Sequence, residues 1–136
     1  MPFTPVVISL PIADRRASFE FYRHALGLDP IGGPAEDGVP EPLQFILGQG
    51  VRLMLVPAGG FGWVIGGRQV AQSGHSECVV SLSAGTAAAV DTLIRQARQA
   101  GAGIVTKPAQ QPWGYAGAFS DPDGHVWMVT SQPPPS

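Results

Sequence analysis

The sequence predicts an α+β fold made of two copies of one strand–helix–strand–strand module. An apolar, β-branched run at residues 6–10 precedes an amphipathic helical pattern at residues 15–26. The same order restarts with a strand-like run at residues 78–82 and a helical pattern at residues 87–100. A glycine-led strand with methionine in the same place occurs at residues 50–56 and again at 124–130. The two copies lie about 72 to 74 positions apart, which indicates an internal duplication.

Composition narrows the class of protein. The chain has 136 residues, only 13% of them charged, and a net charge of −2 with no run of Lys or Arg. This balance argues against disorder and against nucleic-acid or anionic-membrane partners. No apolar run approaches the roughly 20 residues of a membrane span, and no secretory signal is evident. The single cysteine excludes an intrachain disulfide. We therefore expect a cytoplasmic protein.

The first module has clear start and stop signals. Asp14 is placed to cap the N-terminus of the helix, and Gly27 to end it. Phe19, Tyr22 and Leu26 recur on one helical face. Residues 29–42 are predicted to form a loop. Strands at 43–47 and 51–56 follow, joined by a glycine turn as a hairpin.

The connection after the first module is rich in glycine. Residues 58–75 contain glycines at 59, 60, 62, 66, 67 and 74. A dinucleotide fingerprint would need glycine at position 65, where Ile65 stands. We interpret the segment as a linker or mobile flap, from which Phe61 and Trp63 could close over a cavity.

The second module repeats these signals. Thr86 is the predicted helix N-cap and Gly101 the residue that ends the helix. Strands are expected at 104–105, 113–119 and 125–130. Between the last two, Asp121-Pro-Asp-Gly124 has the chemistry of a tight turn, because proline presets φ and glycine accepts φ > 0. Residues 132–136 are expected to be a disordered tail.

Two motifs carry a family resemblance. The first half contains Asp14-x-x-x-Ser18-x-x-Phe21-Tyr22 followed by Leu26-Gly27, and the second half contains Trp113-Gly-Tyr115 followed by Phe119-x-Asp-Pro-Asp-Gly-His-x-Trp127. The chain resembles the vicinal oxygen chelate superfamily, which includes glyoxalase I, bleomycin-resistance proteins and extradiol dioxygenases. The resemblance implies one domain over 1–136, with βαβββ modules at about 4–57 and 76–131 that curl into a cup-shaped half-barrel. It also implies a small-molecule ligand inside the cup and a homodimer.

Strand alternation separates two faces of the predicted sheets. One face is uniformly apolar and is expected to lie against the helices: Ile8, Leu10, Leu53, Leu55, Cys78, Val80, Leu82, Trp127 and Val129. The other face is mixed: Val7, Ser9, Arg52, Met54, Glu77, Val79, Ser81, Val126, Met128 and Thr130. A mixed face with a few hydrogen-bonding groups suits a small-molecule site.

In the superfamily that the chain resembles, metalloenzymes place one His, Glu or Gln ligand on each of four strands. The motifs place those positions here at Val7, Met54, Glu77 and Met128, with the positions of Met54 and Glu77 uncertain by two residues. Valine offers no donor, and thioethers suit soft copper better than a hard divalent ion. The sequence therefore predicts no metal and no other cofactor.

No other catalytic set is evident. The three histidines lie apart in the sequence, and Cys78 is expected to be buried against the helices and not to act as a nucleophile. The first hypothesis is a metal-free protein that binds a small, partly aromatic or anionic molecule. Its expected ligand-binding residues are Ser9, Arg52, Met54, Glu77, Ser81, Trp113, Tyr115, Phe119 and Met128.

Two alternatives stay open. One is a glyoxalase-like lyase or dioxygenase that binds a divalent metal at a displaced site or uses Glu77 as a general base. The other is a structural or regulatory dimer module without a ligand.

Overall fold

The computed structural model describes residues 3–131. The chain divides into two compact units. Unit 1 comprises the described residues up to Arg23 together with Gly27–Gln72, and unit 2 comprises His24–Leu26 and the described residues from Ser73 onward. The expected disordered tail at 132–136 lies outside the described residues. In the part of the chain that the structure covers, no helix has the length and apolar character needed to cross a membrane.

Unit 1 contains a four-stranded mixed sheet with the order β1-β4-β3-β2. β1 pairs with β4 in parallel, and the other two pairings are antiparallel. In chain order the elements are β1 Val6–Ile12, α1 Arg15–Ala25, β2 Asp29–Pro30, β3 Leu43–Gly48, β4 Val51–Pro57 and α2 Ala58–Val64. The short β2 lies within the predicted 29–42 loop and completes the βαβββ order.

The predicted helix signals of unit 1 are confirmed. The Asp14 carboxylate accepts a hydrogen bond from the backbone N–H of Ala17 (3.1 Å), and Gly27 has φ of 63°. The fully buried ring of Phe45 anchors the core beneath the helix. It lies 6.2 Å from the Phe19 ring and 6.0 Å from the Tyr22 ring, centroid to centroid. These aromatic contacts fix α1 against β3.

The loop before β3 is tied to the start of α1. The Arg15 guanidinium donates to the Asp37 carboxylate and to the carbonyl groups of Val39 and Pro40. The Asp37 carboxylate also accepts a hydrogen bond from the backbone N–H of Val39 (3.0 Å). That backbone hydrogen bond, with the charge of Arg15, holds the pKa of Asp37 below its ordinary value. These contacts explain why a loop rich in proline and glycine has a defined path.

Unit 2 repeats this plan in a sheet with the order β5-β8-β7-β6. Its elements are β5 Val79–Ser83, α3 Ala87–Gln99, β6 Gly103–Gln111, β7 Gly114–Ser120 and β8 Val126–Ser131. β5 pairs with β8 in parallel, and β6 and β8 flank β7 in antiparallel pairings. Thr86 caps α3, since its hydroxyl accepts from the backbone N–H of Ala89 (3.1 Å). The predicted α+β fold of two βαβββ modules is confirmed.

Strand register shows how closely the two modules correspond. Phe45 pairs with Leu53 in unit 1, and Phe119 pairs with Trp127 in unit 2, each residue 74 positions later. Met54 likewise corresponds to Met128. The duplication predicted from sequence is therefore present in the register of the β3–β4 and β7–β8 pairings at these positions.

Three predicted elements differ from the structure. Residues Ala58–Val64 of the expected linker form the short helix α2, which begins directly after Pro57 despite its glycines. β5 begins at Val79, so Cys78 lies before the sheet and is exposed; its predicted burial is wrong for this reason. β6 has nine residues where two were expected, because two register shifts against β7 interrupt its alternation and hide the strand pattern.

Candidate functional site

The predicted alternation of strand faces is confirmed in β4 and β8. Leu53 and Leu55 are fully buried in β4, and Trp127 and Val129 are fully buried in β8. Their neighbours along each strand, including Met54 and Met128, are only partly buried. Each sheet therefore has one core face and one more accessible, mixed face.

The mixed face of the second sheet contains a small cavity, which we call the β7 hollow. Its volume is about 240 Å³. Ala116, Gly117 and Ala118 of strand β7 form its floor. Side chains from β6, β8 and the β6–β7 turn surround this floor: Thr106, Gln111, Trp113 and Met128. The hollow lies entirely within unit 2.

Small side chains on β7 create this hollow. Ala118 pairs with Met128 in unit 2, and the corresponding pair in unit 1 is Gln44 with Met54. Thus unit 1 carries a three-carbon amide side chain where unit 2 carries a methyl group. Because Ala116, two positions away on the same face of β7, is also small, the sheet surface remains open at this point.

Trp113 stands at the edge of the hollow. It lies in the tight turn between β6 and β7, where Gln111 pairs with Gly114. Its side chain is 51% exposed, which leaves an indole face free to stack on a bound molecule. The predicted residues Trp113 and Met128 are thus brought together in one cavity.

Two other predicted aromatic residues lie on the opposite face of β7. Phe119 is fully buried and stacks on Trp127, with ring centroids 6.3 Å apart and planes within 4°. The Tyr115 hydroxyl donates a hydrogen bond to the Asp91 carboxylate of α3 (2.6 Å). That bond stabilises the neutral phenol and raises the pKa of Tyr115 above its ordinary value. Both side chains belong to the α3 side of the sheet and do not line the hollow.

The remaining predicted residues lie elsewhere on the two sheets. In unit 1, Ser9 pairs with Met54 on the mixed face. Arg52 lies two residues before Met54 in β4 and is half-buried. In unit 2, Ser81 is exposed and pairs with Met128. Glu77 lies in an exposed bend before β5 and belongs to no strand.

The turn motif that carries the family resemblance has a structural role. The buried Asp121 carboxylate accepts hydrogen bonds from the backbone N–H groups of Asp123 (3.0 Å) and His125 (2.8 Å). Gly124 has φ of 90°, and a Cβ there would lie 2.7 Å from the Ser73 hydroxyl oxygen. The motif therefore fixes the β7–β8 turn and its packing, which explains its residue types without a catalytic role.

The positions expected to hold a metal do not fit a hard divalent ion. Val7 pairs with Arg52, and the corresponding pair in unit 2 is Val79 with Val126. The residue equivalent to Val7 is therefore Val79, two positions after Glu77. This leaves two valines and two methionines, which offer no oxygen or nitrogen donor. Among residues 3–131, no group of three or more His, Cys, Asp and Glu side chains is arranged to hold a metal ion.

The chain matches a known protein superfamily over most of its length. The sequence profile of the Glyoxalase/Bleomycin resistance protein/Dioxygenase superfamily matches residues 4–129. This chain belongs to that superfamily. The resemblance inferred from the two motifs is thereby confirmed. No curated protein matches the chain.

Several solved structures share the fold. A glyoxalase-related enzyme from Fulvimarina pelagi is 24% identical, with a TM-score of 0.80, and the match covers 94% of this chain and 87% of that one. A superfamily enzyme from Burkholderia phytofirmans PsJN is 17% identical with a TM-score of 0.75, covering 96% and 99%. TnmS3, an antibiotic binding protein from Streptomyces sp. CB03234, is 25% identical with a TM-score of 0.67, covering 98% and 99%. The superfamily scaffold thus occurs both in proteins described as enzymes and in one described as a binding protein.

Sequence reasoning missed five residues of the hollow: Thr106, Gln111, Ala116, Gly117 and Ala118. Thr106 and Gln111 belong to the part of β6 that was not predicted as strand. The alanines carry no polar or aromatic group that would single them out. The comparison of the two copies contained a usable signal, since Ala118 occupies the position of Gln44.

Proposed function

We propose that this superfamily member binds a small, partly aromatic or anionic molecule in the β7 hollow without a metal ion. The observation that carries the proposal is a cavity of about 240 Å³, with Trp113 at its edge and Met128 and alanine methyl groups inside. An apolar, concave surface with a few hydrogen-bonding groups is typical of small-molecule sites. Thr106 and Gln111 supply such groups here.

Two further observations support binding over metal-dependent catalysis. Of the four positions expected to hold the metal, Val7, Met54 and Met128 offer no oxygen or nitrogen donor. The fourth, Glu77, lies in an exposed bend before β5, and the residue equivalent to Val7 in the register of that strand is Val79. The antibiotic-binding protein TnmS3 shares the fold over nearly the whole length of both chains. The homodimer and the cytoplasmic location remain predictions from the sequence.

Fluorescence of Trp113 tests the proposal. The chain has three tryptophans, of which Trp127 is fully buried and Trp63 is 83% exposed. In a Trp63→Phe variant, titration with aromatic carboxylates, catechols and polycyclic aromatic antibiotics should give saturable quenching for at least one compound. The matched Trp63→Phe/Trp113→Phe variant should give none. A panel that never quenches Trp113, or quenching that persists without Trp113, would overturn the assignment to the hollow.

A further inference from the structure

A second concave surface lies on the opposite side of unit 2, between α3 and β6. We call it the α3–β6 groove; its volume is about 680 Å³. Helix residues Asp91, Ile94, Arg95 and Arg98 form one side, and Ala102, Ile104, Lys107 and Pro108 form the other. The groove shares none of these residues with the β7 hollow.

The groove is cationic although the protein is acidic. Three of the chain's eight Lys and Arg residues line it, while the chain as a whole has a net charge of −2. Among the described residues, Arg95, Arg98 and Lys107 have no hydrogen bond or ion pair that would neutralise them. The one acidic residue of the lining, Asp91, already accepts a hydrogen bond from the Tyr115 hydroxyl. With three cations and the one Asp91 carboxylate, the lining has a net charge of +2, and the cations lie on both sides of the groove.

The floor of the groove is apolar, and the packing of α3 and β6 over β7 forms it. β6 shifts register twice against β7 on either side of Thr106, and this irregularity includes Lys107 and Pro108. Gly117 of β7 allows Pro108 and Ile94 to approach, since a Cβ there would lie 3.0 Å from Pro108 Cγ and 3.2 Å from Ile94 Cγ1. Packing of α3 and β6 therefore fixes the apolar floor.

We propose that the α3–β6 groove binds a flat organic dianion, such as an aromatic compound with two carboxylate groups. Arg95 and Arg98 are three residues apart on α3, so their side chains lie about one turn apart on the same face. Guanidinium groups bind carboxylates in a bidentate manner, and Lys107 supplies a third cation from the opposite side. The apolar floor receives the ring between them. This proposal does not depend on the function of the β7 hollow.

The probe for this site is benzene-1,3-dicarboxylate, and its neutral dicarboxamide is the control ligand. In amide NMR titrations of the wild-type chain, we expect saturable shifts at residues 94–98 and 102–108 with the dicarboxylate and none with the dicarboxamide. Raised salt should weaken the binding. Shifts that centre on residues 116–118 and 128 would assign the probe to the β7 hollow and overturn the proposal. The absence of saturable shifts would overturn it as well.

Charge-removing variants give the decisive comparison. Arg95→Ala/Arg98→Ala should weaken dicarboxylate binding about tenfold or more. The Arg95→Lys/Arg98→Lys variant, which keeps the charge, should retain part of the affinity. Arg68→Ala removes an exposed arginine outside the groove and should leave binding unchanged. Equal affinity in the wild type and the double alanine variant would contradict the proposal.

Discussion

Replacement of Trp127 by alanine is expected to lower the free energy of unfolding by about 3–5 kcal/mol. Trp127 is fully buried and its ring stacks on Phe119, so truncation leaves a large cavity in the core of unit 2. The free energy of unfolding of a typical domain is only about 5–15 kcal/mol, so this loss is a large fraction of it. Urea unfolding followed by far-UV circular dichroism measures it without relying on tryptophan emission.

Two other tryptophan variants control this experiment. Trp63→Ala removes a side chain that is 83% exposed and should change stability by less than about 0.5 kcal/mol. Trp127→Phe keeps an aromatic ring opposite Phe119 and should lose less than the alanine variant. If Trp127→Ala were as mild as Trp63→Ala, the stacked pair would not be the core of unit 2.

Filling the β7 hollow is expected to abolish ligand binding while the fold persists. Ala118→Leu places an isobutyl group beside Met128, in space that the structure leaves open. Because the leucine occupies the space that the ligand needs, we expect Kd to rise by about 100-fold or more, which corresponds to a loss of about 2.8 kcal/mol of binding free energy. The measurement is the Trp113 fluorescence titration with the compound that gives the strongest response.

The duplication supplies a second variant for this test. Ala118→Gln introduces the residue that unit 1 carries at the corresponding position, opposite Met54. Because unit 1 accommodates glutamine at the corresponding position, we expect the Ala118→Gln variant to fold. Loss of binding in this variant would then report on the hollow and not on unfolding. Ala88→Leu makes the same change as Ala118→Leu on the exposed face of α3 and should leave Kd unchanged. Unaltered binding in both Ala118 variants would place the ligand elsewhere.

The sequence was informative wherever local chemistry dictates structure. Asp14 and Thr86 cap the helices as predicted, and Gly27 and Gly124 have the positive φ that their turns require. Periodicity predicted the buried faces of β4 and β8 because side-chain burial there strictly alternates. Local signals of this kind determined the α+β fold class and the internal duplication.

Prediction failed where tertiary context overrides local preference. The glycines of residues 58–64 favour a loop, yet the segment is helical. The register shifts of β6 removed its alternation, so most of that strand was missed, along with Thr106 and Gln111. Phe119 was expected to bind the ligand, along with two other aromatic residues of the second module. Its pairing with Trp127 instead places it in the core.

The candidate site was only partly accessible to sequence reasoning. Trp113 and Met128 were recognised because their side chains are chemically distinctive. The alanines that open the hollow were not, because a cavity results from what neighbouring side chains do not fill. Comparison of Ala118 with Gln44 across the duplication would have indicated the space, once the register was known.

A single plate of thermal melts tests the central claim most directly. It pairs the wild-type chain with each organic compound of the panel and, separately, with Ni²⁺, Zn²⁺, Mn²⁺ and Fe²⁺ after treatment with a chelator. A ligand well above its Kd should raise the melting temperature by several degrees. We predict such a shift for at least one aromatic or anionic compound and for none of the metals. A shift with a divalent metal, and none with any organic compound, would contradict the account and favour a metal-dependent enzyme.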